Sequence, residues 1–323
     1  MADTVALPLV SVICLCYNHE RFIAEALDSV LAQTYPNLEI IIVDDCSTDH
    51  SVEIMEPYLR EYPQLTFIST GTNLGNTRAF NMGWRASKGA FIIDFATDDV
   101  LLPDRVEKQV QAFLKLDESY GVVYSDAEYV DDNTKHIGFH CVRNKQGEVI
   151  SFAPSGDIFK HLLGRYFICP PTMMMRRTVL DELGGYDETL AYEDFDFWVR
   201  SSRNYKYFFL GDVTTRRRVH ARSLSQQWYK PGSLLVASTV TVCEKAARLV
   251  RTPEEKQALT KRLRYEARHS YLTGHYQQTE RFLELMRKHA GLGPVYQTIR
   301  LLNKYKINLG FLRRVYQSLR NRL

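Results

Sequence analysis

The chain has 323 residues, 45% hydrophobic and 24% charged, which is the composition of a globular protein with ample material for one large domain or two smaller ones. Its net charge of +3 conceals an asymmetry: residues 251–323 hold 16 Lys and Arg against 5 Asp and Glu, a net of +11, leaving 25 against 33, or −8, for residues 1–250. A basic tail of this kind favours anionic surfaces, either lipid headgroups or nucleic acid. Six cysteines without metal-type spacing read as reduced thiols of a cytoplasmic protein, not as a secreted disulfide framework. No apolar run approaches the roughly 18 residues that span a bilayer. The N-terminus has Asp3 before its apolar stretch and no basic flank, unlike a signal peptide, so any membrane contact is expected to be peripheral.

In chain order, Leu9 to Cys16 is a continuous apolar strand that stops at Tyr17-Asn18-His19-Glu20. Phe22, Ala26, Leu27, Val30 and Leu31 then recur at helical spacing. Leu38 to Val43 is a second buried strand, running into Asp44-Asp45-Cys46-Ser47-Thr48-Asp49, which caps a helix carrying Val52, Ile54, Met55 and Leu59. A third strand, Leu65 to Ile68, and a turn at Asn73-Leu74-Gly75-Asn76 precede a short helix from Thr77 to Ala86 that presents Arg78 and Asn81. Phe91 to Phe95 is the fourth strand and ends in Ala96-Thr97-Asp98-Asp99. Alternating strands and helices of this kind predict a parallel, doubly wound half-domain. One Asp pair after a strand is ordinary turn chemistry. Two pairs at corresponding strand ends predict acids gathered on one sheet edge, where open α/β sheets bind ligands. Adjacent carboxylates repel, and a divalent cation shared with substrate phosphates is the usual remedy.

These stretches, with Ser29-Val30-Leu31-Ala32-Gln33 and Pro103, form an ordered series over residues 10–100 that resembles the nucleotide-binding half of the family 2 inverting glycosyltransferases. The resemblance covers about two thirds of the chain and implies an α/β fold of the GT-A type, a doubly wound, mostly parallel sheet between helices. It implies that Asp45 accepts a hydrogen bond from the base of a nucleoside diphosphate sugar, a uracil or thymine imide N–H, with Asp44 beside it in support. Tyr17 would flank the base, Asn18 would join the nucleotide site, Asp98 would face the ribose, and Arg78 would add charge near the ribose or phosphates. Asp99 would hold a Mn²⁺ or Mg²⁺ bridging the two phosphates. For each of these residues the plainer reading is a polar group satisfied within a turn. Many members of the family carry a carboxylate where this chain has Ala96, which makes the site less anionic and puts metal affinity in doubt.

Beyond residue 100, Pro103-Asp104 opens a helix with Val106, Val110, Phe113 and Leu114 on its buried face. Gly121 to Tyr124 is a strand expected to end acidic at Ser125-Asp126, and Asp131-Asp132-Asn133 a hairpin turn. Cys169 to Met175 resembles the family segment beneath the acceptor, with Met173 and Met175 as core and Thr172 as a candidate acceptor contact. Tyr192-Glu193-Asp194 opens a helix whose Phe197, Trp198 and Val199 pack inward. Acids in a first helical turn suit the helix dipole, but the resemblance makes Asp194 the general base, with Glu193 contacting the acceptor or supporting it. Thr214 to His220 is a closing strand: His220 falls where the family brings a His to the metal or phosphates, and Arg216 and Arg218 alternate to one face as candidate phosphate contacts. Arg222-Ser223-Leu224-Ser225 resembles a segment that folds over the donor.

Pro231-Gly232 marks a boundary, giving a GT-A domain over 1–228 (nucleotide half about 1–125, acceptor half about 126–228) and a basic helical region over 229–323. That region predicts helices at 234–250 and from Pro253, and a hairpin through Gly274 faintly like one tetratricopeptide-type unit. Its end, 309–323, predicts a helix with Leu312, Val315, Tyr316, Leu319 and Leu323 on one face amid arginines, suited to a membrane surface or to packing on its neighbours.

The reading is a cytoplasmic, metal-dependent glycosyltransferase, peripheral on the inner membrane face. It takes a nucleoside diphosphate sugar donor and a glycan or lipid-linked acceptor, and expects no nucleic acid. One alternative is a non-catalytic nucleotide- or membrane-binding scaffold. Another is a sugar nucleotidyltransferase, which usually carries a Gly-rich loop where this chain has Cys16-Tyr17-Asn18-His19.

Overall fold

A computed structural model describes residues 7–220, 230 and 232–311. The chain divides into two compact units that interleave in sequence. The first comprises residues 1–158, 167–189 and 204–220, and the second 159–166, 190–203 and 221–323.

The first unit is built on a nine-stranded sheet. Its strands are β1 (Val10–Cys16), β2 (Leu38–Asp44), β3 (Thr66–Ser69), β4 (Phe91–Ala96), β5 (Val100–Leu101), β6 (Tyr120–Val130), β7 (His136–Phe139), β8 (Met174–Arg176) and β9 (Lys206–Arg218). The order is β3-β2-β1-β4-β8-β6-β9-β5, with β7 on β6. β1 pairs in parallel with both β2 and β4, and β2 with β3. β8 runs antiparallel to its neighbours β4 and β6.

Every residue of β1 is buried, as a strand covered on both faces requires. Val12, Cys14 and Cys16 share one face and join the core formed with α1 (Ile23–Leu31), α2 (Ser51–Glu61) and α4 (Arg105–Leu114). Ile13 points the other way, against α3 (Asn76–Ala86). Gly83 makes that approach possible, because a Cβ there would lie 2.5 Å from Ile13 Cγ2. Helices on both faces make this half doubly wound. None of the six cysteines is in a disulfide, and five of them are buried.

Some expected strand ends move. β6 does not stop at Ser125-Asp126. It continues to Val130, and Asp126 is fully buried beneath Arg143, whose guanidinium donates twice to it. β9 starts at Lys206, earlier than expected, and pairs in parallel with β6. Met173, Met174 and Met175 are all buried. Behind β8, α6 (Arg177–Leu183) ends at Gly184 in the left-handed region.

The second unit is helical: α5 (Phe159–Gly164), α7 (Asp194–Ser201), α8 (Leu234–Leu249), α9 (Pro253–Leu272), α10 (Tyr276–Ala290) and α11 (Pro294–Lys304). Thr252 and Glu255 form a capping box at the start of α9. α9 and α10 make the expected hairpin through Gly274, whose φ is +79°. α11 adds to the helices expected from the sequence pattern. The segment at 222–225 and, apart from residues 309–311, the basic helix expected over 309–323 lie outside the described residues. No helix among the described residues is long and apolar enough to cross a membrane.

Candidate active site

The order β2-β1-β4 brings three carboxyl ends to one edge, and the chain changes direction of travel across the sheet between β1 and β4. That switch point is where open α/β sheets leave a crevice. The loops there are laced together. Asn18 N–H donates to Ser47 Oγ at 3.0 Å, and Asn18 Oδ1 accepts from Thr48 N–H at 2.7 Å. His19 N–H donates to Ser51 Oγ. Asn18 and Cys46, the residues that turn the chain out of β1 and β2, hold φ of +58° and +63°. Such conformations are costly for non-glycine residues and cluster at functional sites.

Asp45 is buried, and its carboxylate accepts three hydrogen bonds: from Thr70 Oγ1 at 3.1 Å, Leu74 N–H at 2.7 Å and Gly75 N–H at 2.8 Å. It thereby fixes the loop that starts α3 and carries Arg78, itself exposed and close enough to help depress the pKa of Glu188. Asp44 accepts from Ser47 N–H through Oδ2, while its Oδ1 is buried with no partner among the described residues. Tyr17 lies open on the rim, 44% exposed. The Asn81 side chain is engaged inside the protein, where its amide clasps the Tyr186 backbone and Glu188.

The end of β4 meets the end of β9 because β5, directly after Asp99, pairs with β9 at Arg216 and Thr215. His220 Nε2 lies 3.0 Å from Asp98 Oδ2, and Arg218 N–H donates to Asp99 Oδ1 at 2.8 Å. His19 Nδ1 is 2.9 Å from Thr97 Oγ1. The two neighbouring aspartates part company in their titration. Burial opposes ionisation of Asp98, but the His220 hydrogen bond and the fields of His19 and His220 outweigh it, leaving its pKa below the ordinary value. For Asp99, burial and then the Asp98 charge raise the pKa well above it, and Arg218, Arg217 and Arg105 offset this only in part. Burial also lowers the pKa of His19, partly offset by Asp98.

Two expected ligand contacts need correction. Arg218 is buried: its guanidinium donates to Asp98 O, Asp131 O, Thr134 Oγ1 and Glu25 and lies over the Phe22 ring, so it props the acidic turn and presents nothing to a phosphate. Thr172 is fully buried, and its hydroxyl donates to Cys169 O and accepts from Ser125 N–H, so it presents nothing to an acceptor. Arg216 remains partly exposed, in an ion pair with Glu128 at 3.0 Å. Sequence reasoning missed His19. Its signal was its place directly after the β1 terminus. It also missed Arg105, a fully buried guanidinium bonded to Thr215, Met173 O and Gln109 and pushed down to about 9 by burial.

Glu193 and Asp194 belong to the second unit, at the N-cap and first turn of α7. Asp196 in the same turn is fully buried between Arg200 and Lys245, each at 2.6 Å, an ion cluster that anchors α7 to α8.

Among the described residues no three His, Cys, Asp or Glu side chains converge as a ready-made cation cage. Asp98 and Asp99 on one turn and His220 just beyond β9 nonetheless supply oxygen and imidazole donors, and nearby arginines offset the burial of Asp99 and the Asp98 charge only in part. That donor set fits a Mn²⁺ or Mg²⁺ that completes its shell with water and phosphate oxygens.

A parallel half-sheet with acids at its switch point, extended by β8, β6 and β9, defines a GT-A fold. Solved structures share it. Staphylococcus aureus TarS (residues 1–349), in complex with UDP-GlcNAc, superposes with a TM-score of 0.69 at 19% identity over 97% of this chain and 92% of that one. Mannosyltransferase PcManGT from Pyrobaculum calidifontis, in complex with GDP-Man and Mn²⁺, gives 0.57 at 19% identity over 94% and 86%. The chain belongs to glycosyl transferase family 2, whose model matches residues 11–184. An uncharacterised glycosyltransferase of Rickettsia prowazekii is 32% identical over 68% of this chain and 67% of its own. Another, of Haemophilus influenzae, is 27% identical over 94% and 99%.

Proposed function

We propose that this glycosyltransferase is metal-dependent and inverting. It moves a sugar from a UDP- or dTDP-sugar to a hydroxyl of a glycan or lipid-linked acceptor, as in bacterial surface polysaccharide synthesis. The observation that carries the donor half is the acidic edge at the β1/β4 switch point, where Asp44, Asp45, Asp98 and Asp99 gather. A carboxylate has about four lone-pair sites. Asp45 uses three, which leaves room for the single imide N–H of uracil or thymine. Unpartnered Asp44 Oδ1 adds acceptor character beside it. Tyr17 and Asn18 border the base, Asp98 takes the ribose, and Arg78, with Arg216, contributes charge toward the diphosphate.

Asp99, with His220, would hold the Mn²⁺ or Mg²⁺. When bound, the cation supplies charge neutralisation to the departing diphosphate. Asp194, supported by Glu193, takes the proton of the acceptor hydroxyl as its oxygen attacks the anomeric carbon from the side opposite the diphosphate. Neighbouring negative charge raises the basicity of such a carboxylate. The basic region from Arg251 onward supports a peripheral position on the inner face of the plasma membrane.

Thermal-shift titration with UDP, dTDP, GDP, CDP and ADP, with and without Mn²⁺, tests the donor half. At 100 times its dissociation constant a ligand adds about 2.7 kcal/mol. The expected result is a Mn²⁺-dependent shift with UDP or dTDP that Asp99→Ala abolishes. No shift with any nucleotide overturns the reading in favour of a scaffold.

A further inference from the structure

The contacts of α11 define an inner and an outer face. Ile299 and Asn303 are turned inward. The Asn303 amide donates to Tyr276 O at the start of α10, and the Arg300 guanidinium pairs with Glu280 of α10 at 2.7 Å. The Tyr296 hydroxyl donates to Arg264 O of α9. The chain beyond the helix is tied down as well, because the Tyr271 hydroxyl donates to Ile307 O at 2.6 Å.

With that side committed, the opposite side follows from helical geometry. Pro294, Thr298, Leu301 and Tyr305 are spaced i, i+4, i+7 and i+11, within about 60° of one another around the axis, and all four are exposed. Leu301 is 58% exposed and Tyr305 66%, and in the segment that follows Ile307 is 43% and Phe311 51% exposed. Apolar side chains left singly in water are ordinary. Four of them between residues 301 and 311, on a docked helix and the tied segment after it, form a patch of the kind that marks a contact surface.

Charge indicates what covers it. Residues 287–323 hold nine Lys and Arg and no Asp or Glu. Lys304 and Lys306 flank Tyr305, are exposed, and enter no ion pair among the described residues. A second copy of the chain would bring the same lysines face to face. Residues 312–323, with four arginines and no acid, carry the same sign. The complement is an anionic partner with an apolar interior. A nucleic acid answers the lysines but gives leucine and isoleucine nothing to be buried in, whereas an anionic bilayer answers both.

We propose that the outer face of α11 and the segment after it are a lipid-contacting surface. Leu301, Tyr305, Ile307 and Phe311 enter the boundary between headgroups and acyl chains of an anionic bilayer. Lys304 and Lys306 lay their stems along that boundary and keep their ammonium groups at the lipid phosphates. The proposal deepens the peripheral position read above and rests on it, and it is independent of the donor site.

The test uses the full chain and vesicles of phosphatidylcholine with and without phosphatidylglycerol. Binding is read by co-sedimentation at low salt and at about 0.5 M NaCl, where exposed charges are largely screened. Leu301→Gln and Tyr305→Gln remove apolar surface and keep a helix-forming residue, and Lys304→Gln removes one charge. All three positions are exposed, so melting temperatures should stay within about 2 °C of the parent. Leu114→Gln, which removes a leucine 57% exposed on α4 of the first unit, is the control. Partitioning onto phosphatidylglycerol vesicles is expected to fall about tenfold in Leu301→Gln and in Tyr305→Gln at both salt concentrations. It should fall about fivefold in Lys304→Gln at low salt only, and stay unchanged in Leu114→Gln. If the parent binds and the two apolar variants lose no more than Leu114→Gln does, the surface is refuted while a peripheral position held by charge alone stands. If the parent binds neither kind of vesicle, both fall. Binding to duplex DNA in place of vesicles, weakened in Lys304→Gln, overturns the lipid assignment in favour of nucleic acid.

Discussion

Asp45 offers a sharp separation of folding from binding, and Asp45→Asn is the perturbation to make. The native carboxylate receives Leu74 N–H on one oxygen and Gly75 N–H on the other, with Thr70 Oγ1 sharing the first. An asparagine replaces one of those oxygens with an NH₂ group. Whichever way the amide turns, one backbone N–H then faces another donor. The loss is one hydrogen bond to a charged group, worth about 1.5–3 kcal/mol, plus weakening of the other by removal of the charge. A total near 3 kcal/mol lowers the melting temperature of a unit of this size by about 6–12 °C. The effect is local, so hydrogen exchange at the Leu74 and Gly75 amides should accelerate about a hundredfold. Nucleotide affinity should fall as well, because the loop that starts α3 and carries Arg78 loses its anchor. A melting temperature within about 2 °C of the parent, with those amides still protected, would refute the clamp.

Two further outcomes follow from the same reasoning. Asp194→Asn should reduce sugar transfer by about 10²–10⁴, the usual contribution of a positioned general base, while the nucleotide-induced thermal shift persists. Loss of both would make Asp194 a structural residue. Glu255 is held below the ordinary carboxylate pKa: burial opposes this, but Arg203 and the N–H groups of Arg251 and Thr252 prevail. Its stabilisation is therefore complete above the unfolded pKa and is lost as pH falls through the lower folded value. Glu255→Gln, which leaves Arg203 without its anion, should cost about 3 kcal/mol at pH 7 and flatten the acid limb of the denaturation profile. An unchanged acid limb would sink that assignment.

The parallel half of the first unit was legible because β1, β2 and β4 are short apolar runs closed by Asp or Asn, and α1, α3 and α4 show buried stripes. Ile23, Ala26, Leu27 and Val30 fall where α1 meets β1. The acidic edge was legible for the same reason, since strand ends are local features. What the sequence concealed are uses of polar residues set by partners far along the chain. Arg218 looks like a phosphate ligand until Glu25, 193 residues away, and the Asp131 carbonyl are seen to hold it. Asp126 looks like a strand terminus until Arg143 covers it and lets β6 continue. Thr172 looks like an acceptor contact until the Ser125 N–H takes its lone pair. Nothing in a local pattern distinguishes a polar group offered to a ligand from one already answered inside the protein.

The same distinction bears on Asp98 and Asp99. Their order in the chain makes them equivalent, and the structure makes them opposites. Asp98 faces His220 and His19 and stays ionised. Asp99 lies deeper, beside that charge, bonded among the described residues to the Arg218 backbone N–H, with the guanidinium groups of Arg217 and Arg105 at longer range. In the proposed reading a divalent cation would answer a carboxylate so placed better than a proton, because it would also answer Asp98 and incoming phosphate oxygens. Arg218, which donates its N–H to Asp99 and its Nε–H to Asp98 O, keeps both acids on one turn. Its burial therefore serves the proposed donor site by holding the acids in place, a role separate from contacting the ligand.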